Sequence, residues 1–155
     1  MNDKRIETQL RSFFGFKTLP FTKDLEPDRI FGLERFEHAL QRLRYLADRR
    51  GIGVLCGHPG TGKSTLLRAF SDGLGKTAYT CAYLSHTTCA ILDLYRQIAH
   101  AFQIQPALRK ADLMRQIQDR LLKLACVQKI SPVLIIDEAH LLPAPFLDEL
   151  RLLTS

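Results

Sequence analysis

The strongest limit on the fold of this chain comes from eight residues, Gly57-His58-Pro59-Gly60-Thr61-Gly62-Lys63-Ser64. They match the pattern G-x-x-x-x-G-K-[ST], in which glycines let the backbone curl around phosphate oxygens without a clash of Cβ atoms. An apolar run bounded by glycines, Gly53–Cys56, precedes the motif and predicts a buried strand, and the pattern of residues 63–72 predicts a helix. A strand, a glycine-rich loop and a helix in this order predict a phosphate-binding loop, or P-loop.

The polar groups of this loop each have a predicted role toward bound phosphates. Backbone N–H groups of the loop and of the helix start would point at the anion, where the helix dipole favours negative charge. Lys63 would reach the β- and γ-phosphates, the Ser64 hydroxyl would bind Mg2+, and Thr65 would hydrogen-bond the α-phosphate. The predicted nucleotide-contacting residues are Gly57, His58, Pro59, Gly60, Thr61, Gly62, Lys63, Ser64 and Thr65.

A second chemical signal is a pair of carboxylates, Asp137 and Glu138, directly after the apolar run Val133–Ile136. Ending a buried strand in two carboxylates is costly unless they meet a cation. Asp137 is therefore predicted to bind Mg2+, the Walker B role, and Glu138 to orient and polarise the attacking water. Taken alone, the pair is also typical of a polar helix start after a strand.

Residue periodicity predicts the elements around these motifs. Helical patterns cover residues 1–12, 34–49, 63–72, 88–102 and 110–126, and a further helix follows Pro143 and Pro145. Strand patterns cover residues 53–56, 77–84 and 133–136, and we expect the last of these strands to be buried on both faces. Strands alternating with helices predict an α/β fold with a mainly parallel sheet. Ser85 and His86 follow the second strand, and one of them is expected either to hydrogen-bond Glu138 or to cap the next helix.

The composition argues against several classes of protein. No apolar run approaches the ~20 residues of a transmembrane helix, and the N-terminus has no apolar stretch typical of a secretory signal. The four cysteines form no C-x-x-C pair, so neither a zinc site nor a disulfide framework is indicated. We therefore expect a cytoplasmic protein with no membrane segment in this chain.

The charge of the chain is basic, with a formal net charge of +6 at pH 7. This charge permits a polyanionic partner without establishing one. In the helix predicted at residues 34–49, Arg35, Arg42 and Arg49 are seven residues apart and share one stripe. The stripe is either a solvated face or a surface for contacts with phosphate groups.

Beyond the individual motifs, the sequence resembles a known family along essentially its whole length. GHPGTGKST followed by LIIDEAH is similar to the AAA+ branch of P-loop ATPases. More narrowly, FFGFKTLPFTKD at residues 13–24, Gly51-Ile52-Gly53 and Leu92–Arg96 resemble the bacterial general secretion pathway protein A-like group, which includes many transposon-encoded ATPases. The resemblance implies an N-terminal segment, residues 1–33, packing on the ATPase core, with residues around Arg29–Gly32 holding the adenine, and a partial AAA+ domain at residues 34–155.

The resemblance also implies an activity. ATP would be hydrolysed to ADP and phosphate, with Ser64 and Asp137 holding Mg2+, Lys63 offsetting the developing charge and Glu138 activating water. Lys63 and Glu138 are thus the expected catalytic residues. An arginine finger would come from a neighbouring subunit, which implies a homo-oligomer.

Family members continue past the point where this chain ends. They carry further C-terminal strands and a helical lid, and one of those strands lies between the P-loop strand and the Walker B strand. We therefore expect a chain truncated after the Walker B region, with a gap between Gly53–Cys56 and Val133–Ile136. We also expect the chain by itself to hydrolyse ATP weakly or not at all.

Two biological roles fit these observations. The first is a transposition helper that assembles on double-stranded DNA with ATP and recruits a transposase. The second is a secretion-assembly ATPase at the inner membrane, and an inactive ATP-binding fragment is a further alternative. A P-loop kinase ranks lower, because the Asp137-Glu138 pair favours water as the acceptor.

Overall fold

The computed structural model describes residues 3–17, 34–85 and 90–152. Backbone contacts divide the chain into two units, residues 1–33 and residues 34–155. In the first unit, helix α1 (Asp3–Phe14) confirms the helix predicted at the N-terminus. The predicted adenine contact at residues 29–32 lies outside the described residues, and the packing of residues 1–33 on the core stays a prediction.

The second unit alternates helices and strands, as the periodicity predicts. Its elements are α2 (Glu34–Asp48), α3 (Lys63–Asp72), β1 (Tyr79–Leu84), α4 (Ile91–Ala101), α5 (Lys110–Leu122), a π-helical turn (Lys123–Val127), β2 (Ser131–Ile136), a 3-10 turn (Ala139–Leu141) and α6 (Ala144–Leu152). β1 begins two residues later than predicted, because the N–H groups of Ala78 and Tyr79 turn back to the Gly75 carbonyl. The predicted start of α4 at Thr88 lies outside the described residues.

The two strands form a parallel pair, which confirms the predicted strand direction. The register runs from Tyr79 opposite Ser131 to Leu84 opposite Ile136. Beyond β2, the N–H of Asp137 still donates to the Leu84 carbonyl at 2.9 Å. Because parallel strands end at the same edge of a sheet, the end of β1 and the Walker B carboxylates lie side by side.

The sheet lies between two layers of helices. Alternate side chains of each strand belong to different apolar clusters: Ala82 and Leu84 pack with α4, α5 and α6, and Cys81 and Tyr83 pack with α2 and α3. Successive side chains of a strand point to opposite faces, so the two clusters occupy opposite faces of the sheet. The first cluster contains the largest fully buried side chains, among them Tyr95, Phe102 and Phe146.

The predicted strand at Gly53–Cys56 is wrong: these residues are irregular. Val54 is 86% exposed, and Ile52, just before the run, is 71% exposed. Leu55 is the one residue of the run that packs on the apolar cluster formed by α2, α3 and the sheet. Within the described part of the chain, no strand pairs with this run. An extended apolar segment becomes a strand only when a neighbouring backbone satisfies its N–H and C=O groups.

The predicted burial of the β2 strand on both faces is also wrong in part. Ile135 is buried, whereas Val133, Leu134 and Ile136 are only half-buried. In the ranges the structure describes, β2 pairs with β1 on one edge and has no strand on the other. A strand at a sheet edge keeps more of its side chains accessible than a central strand does.

Candidate nucleotide-binding site

The backbone of the loop at residues 57–64 requires its glycines. Gly60 and Gly62 have φ angles of +79° and +85°, which side chains of L-residues rarely adopt. A Cβ atom on Gly57 would lie 2.9 Å from Thr61 Oγ1, closer than real contacts of this kind. The glycine spacing seen in the sequence therefore corresponds to backbone turns that other residues would strain.

The side chains of the loop fold back on its own carbonyl groups. Lys63 Nζ donates to the Gly57 carbonyl at 2.8 Å and to the His58 carbonyl at 2.9 Å. Thr61 Oγ1 donates to the same His58 carbonyl at 2.8 Å. The Lys63 ammonium thus lies across the loop, where a bound phosphate would compete with two carbonyl oxygens for it.

Helix α3 begins with unpaired donors at this loop. Its N-cap is Gly62, and no side chain caps the first turn. The intrahelical ladder starts with the N–H of Leu66, which donates to the Gly62 carbonyl, so the N–H groups of Lys63, Ser64 and Thr65 precede it. Free N–H groups and the positive end of the helix dipole favour an anion here. Thr65, His58 and Pro59 are exposed on this side.

Asp137 receives hydrogen bonds from three elements. The Tyr83 hydroxyl donates to Asp137 Oδ2 at 2.8 Å, the N–H of Glu138 donates to Oδ1 at 3.0 Å, and the Ser64 hydroxyl also bonds the carboxylate. Burial raises the pKa of this carboxyl, but the hydrogen bonds and the nearby Arg68 charge outweigh burial and hold the pKa below its usual value. Asp137 is therefore ionised at neutral pH, in contact with the P-loop serine.

Tyr83 and Arg68 belong to the site although the motifs did not indicate them. Burial, and then the hydrogen bond and negative charge of Asp137, raise the pKa of Tyr83 to about 12, so its hydroxyl stays a donor. Arg68 lies one helical turn after Ser64 on α3 and hydrogen-bonds Tyr83. Two features of the sequence could have indicated these residues. Arg68 lies four residues after Ser64 in a predicted helix, and Tyr83 lies near the end of a predicted parallel strand.

Glu138 has an unusual backbone conformation. Its φ of +53° and ψ of +40° lie in the left-handed region, which costs a residue with a side chain ~1–3 kcal/mol. Its carboxylate is half-exposed, and His140 Nδ1 lies 3.3 Å from Glu138 Oε2. Strain of this kind is concentrated at functional sites, since the surrounding structure must enforce it. A hydrogen bond from Ser85 or His86 to Glu138 stays a prediction, because His86 lies outside the described residues.

The chemistry of Ser64 and Asp137 fits Mg2+. Both offer oxygen atoms, the ligands that this cation prefers, and the two side chains already touch. In residues 3–17, 34–85 and 90–152, no three His, Cys, Asp or Glu side chains cluster as a metal site. Mg2+ usually keeps several waters and binds through one or two protein groups plus substrate phosphates. A serine–aspartate pair beside a P-loop meets that requirement.

Comparison with known protein families agrees with this geometry. A sequence model described as an AAA domain matches residues 44–155. The chain therefore belongs to the AAA family of P-loop ATPases, and the predicted α/β nucleotide-binding fold is confirmed. Membership of this family establishes that the domain uses a nucleotide.

Two curated proteins are similar to the chain over 96% of its length. They are the ATP-dependent target DNA activators B of Escherichia phage Mu and Escherichia phage D108, each 30% identical over 151 residues. The chain spans only 44% of each relative. No solved structure gives a significant match.

Among the helices of residues 3–17, 34–85 and 90–152, none is both long and apolar enough to cross a lipid bilayer.

Proposed function

We propose that this chain binds ATP with Mg2+ and is the ATPase part of a DNA-associated transposition helper, which in its assembled form hydrolyses ATP to ADP and phosphate. The observation that carries the proposal is the contact between Ser64, at the start of the P-loop helix, and Asp137, at the end of β2. Two motifs far apart in the sequence meet at the point where a P-loop ATPase needs an oxygen-ligated cation.

Binding would use the loop and the helix start. The N–H groups that precede the α3 ladder hydrogen-bond the phosphates, and Lys63 leaves the carbonyls of Gly57 and His58 for the β- and γ-phosphate oxygens. Ser64 and Asp137 hold Mg2+, which when bound neutralises the negative charge of those phosphates. Tyr83 keeps the Asp137 carboxylate in position.

Hydrolysis would use Glu138 as the general base. Its backbone follows Asp137 directly, so its carboxylate stands at the same edge of the sheet. It orients a water molecule toward the γ-phosphorus and accepts one proton of that water as the new P–O bond forms and the bond from the γ-phosphorus to the leaving ADP oxygen breaks. His140, 3.3 Å from Glu138 Oε2, holds the carboxylate on this side.

The DNA-associated role rests on two supports. The first is that both similar curated proteins are named as ATP-dependent activators of target DNA. The second is the net charge of +6, which favours a polyanionic partner. We propose a cytoplasmic homo-oligomer that binds double-stranded DNA and a transposase.

Substitutions at Lys63 and Glu138 test the ATPase proposal. Lys63→Ala should remove binding of a fluorescent ATP analogue, because the ammonium that neutralises the phosphates is lost. Glu138→Gln should keep binding but lower the phosphate release of the assembled protein by about 10²-fold or more, the usual contribution of a general base.

Two exposed residues provide matched controls. Lys76→Ala and Glu37→Gln remove the same groups away from the loop and should keep both binding and phosphate release. Unchanged binding in Lys63→Ala, or unchanged phosphate release in Glu138→Gln, would contradict the proposed site.

A further inference from the structure

Helix α2, together with Arg49 directly after its end, carries a row of basic and aromatic side chains on the side away from the sheet. The row, called the α2 stripe below, consists of Arg35, His38, Arg42, Tyr45 and Arg49. Their spacing of three, four, three and four residues places them on one side of the helix, and all five are exposed. The opposite side of α2 is anchored by Leu40, Phe36 and Leu43 in the cluster against α3 and β2.

The α2 stripe has no acidic member. The carboxylates of the helix are Glu34 and Glu37 in its first turn and Asp48 near its end, and Asp48 is occupied by the Tyr79 hydroxyl. Among the residues that the structure describes, no carboxylate lies within ion-pair distance of Arg35, Arg42 or Arg49. Glu34 Oε1 lies 4.0 Å from His38 Nε2, but within the described part of the chain the three arginines of the stripe have no carboxylate partner.

The aromatic residue of the stripe positions one of the arginines. Tyr45 is 61% exposed, and the Arg49 guanidinium lies 5.4 Å from the centre of its ring. An exposed cation–π contact of this type contributes ~0.5–1 kcal/mol and restrains the long arginine side chain. Arg49 thus has less freedom to lose when it binds an anion.

The length of the stripe suits a linear polyanion. At 1.5 Å per residue, Arg35 and Arg49 are separated by ~21 Å along a rigid helix. Double-stranded DNA carries one negative charge per ~1.7 Å of its axis, so a row of this length faces several phosphates. We propose that the α2 stripe binds the phosphate backbone of double-stranded DNA, an assignment that rests on the DNA-associated role proposed above.

Other anionic partners fit this surface less well. A helix that binds membranes presents large apolar side chains for insertion into the lipid, whereas the apolar side of α2 is packed inside the domain. The core of a protein–protein interface is mostly apolar, whereas the five residues of the stripe include no aliphatic side chain. Phosphate contact without base readout requires only the regular cations that α2 presents.

A salt titration of DNA binding tests this assignment. The variant Arg35→Gln/Arg42→Gln/Arg49→Gln removes the stripe cations while keeping good helix formers. The control Arg109→Gln/Lys123→Gln/Lys129→Gln removes the same charge from three exposed residues of the layer on the other face of the sheet. A third variant, Arg35→Lys/Arg42→Lys/Arg49→Lys, keeps the positive charge of the stripe.

The slope of log affinity against log salt is the measured quantity. Each lost phosphate contact lowers its magnitude by about 0.9, so the glutamine stripe variant should lose about 2.7. In the charge control and in the lysine variant, the magnitude of this slope should change by less than about 0.9, the value for one phosphate contact. Unchanged binding of the ATP analogue and an unchanged melting temperature would show that each variant is folded.

Three results would overturn the assignment. Equal loss of slope in the stripe variant and the charge control would show an effect of net charge alone. An unchanged slope in the stripe variant, with a wild-type chain that binds DNA, would refute the α2 interface and leave the proposed function intact. Absence of salt-dependent DNA binding in the wild type would refute the DNA role itself, and stripe-dependent binding to phosphatidylserine vesicles in that case would identify a membrane surface.

Discussion

At the scale of single residues, Asp137 determines the geometry of the site. Its carboxylate accepts hydrogen bonds from the Ser64 hydroxyl on α3 and the Tyr83 hydroxyl on β1. The backbone N–H of Glu138 is the third donor. These donors keep it ionised and fix the direction of its lone pairs. Because groups that orient a metal ligand contribute to metal affinity, Tyr83 should affect Mg2+ binding without touching the nucleotide.

Replacing Tyr83 by phenylalanine tests this role. The Tyr83→Phe variant removes one hydrogen-bond donor to Asp137. It should raise the Mg2+ concentration needed for half-maximal binding of the ATP analogue by about tenfold. Binding of the analogue without Mg2+ should be unchanged, since the P-loop is unaltered. A Mg2+ titration at a fixed concentration of the analogue provides the measurement.

The matched control lies on the same strand. Tyr79 belongs to the same face of β1, but its hydroxyl bonds Asp48 on α2, away from the P-loop. Tyr79→Phe should keep the wild-type Mg2+ dependence. If both variants gave the same Mg2+ curve, Tyr83 would have no positioning role.

At the scale of elements, α6 is held to α4 and α5 by a contact between two aromatic rings and by two hydrogen bonds. The Phe146 ring packs edge-on against the Tyr95 ring, with centroids 5.4 Å apart. Glu149 Oε1 accepts from Lys110 Nζ at 2.6 Å and Oε2 from the Tyr95 hydroxyl at 2.5 Å. The hydrogen bond from Lys110, followed by that from Tyr95, lowers the pKa of Glu149 below its usual value.

This pKa shift predicts an acid-sensitive attachment of α6. The folded-state pKa of Glu149 is below the unfolded value of 4.5, so its stabilisation is complete above that value and is lost as the pH falls through the folded-state pKa. Glu149→Gln should lower the free energy of unfolding at neutral pH by about 1 kcal/mol and should weaken the loss of stability as the pH falls below 4.5. Thermal melting across this pH range provides the measurement.

The neighbouring carboxylate is the control for this prediction. Asp148 is exposed on the same helix, and Asp148→Asn should retain the wild-type acid dependence. The prediction would be contradicted if Glu149→Gln and the wild type lost stability in parallel as the pH falls.

At the scale of the whole molecule, the sheet and its two helix layers form a core. The run Gly53–Cys56, which precedes the P-loop, lies partly outside this core. β1 and β2 pair fully, whereas Gly53–Cys56 has no backbone partner in the described part of the chain. Protection of backbone amides from exchange follows hydrogen bonding and burial. The run before the P-loop should therefore be among the least protected parts of residues 34–152.

Hydrogen–deuterium exchange measures this difference directly. Amides of residues 52–57 should exchange rapidly, and those of Cys81–Leu84 and Val133–Ile136 slowly. ATP analogue with Mg2+ should slow exchange in Gly57–Thr65, because the loop N–H groups then bond phosphate oxygens. The same ligand should have no effect in Lys63→Ala, and slow exchange of residues 52–57 in the unliganded chain would contradict the structure.

Much of the fold and of the site follows from local features of the sequence. Apolar side chains spaced by three and four residues predicted α2, α3 and α5, and the glycine spacing predicted a loop whose Gly60 and Gly62 have positive φ angles. These predictions succeed because helix faces and backbone sterics depend on residues close together in the chain.

The remaining features depend on residues that are distant in the chain. The same kind of apolar run is a strand at Val133–Ile136 and irregular at Gly53–Cys56, because strand formation requires a partner backbone that no local pattern specifies. The contacts of Asp137 with Tyr83 and Ser64 likewise exist only because parallel pairing and helix packing bring α3, β1 and β2 together. The residue types in the motifs thus determined the phosphate chemistry by themselves, whereas the tertiary structure decided which side chains orient the carboxylate, since that requires atoms from three separate elements to lie within hydrogen-bond distance.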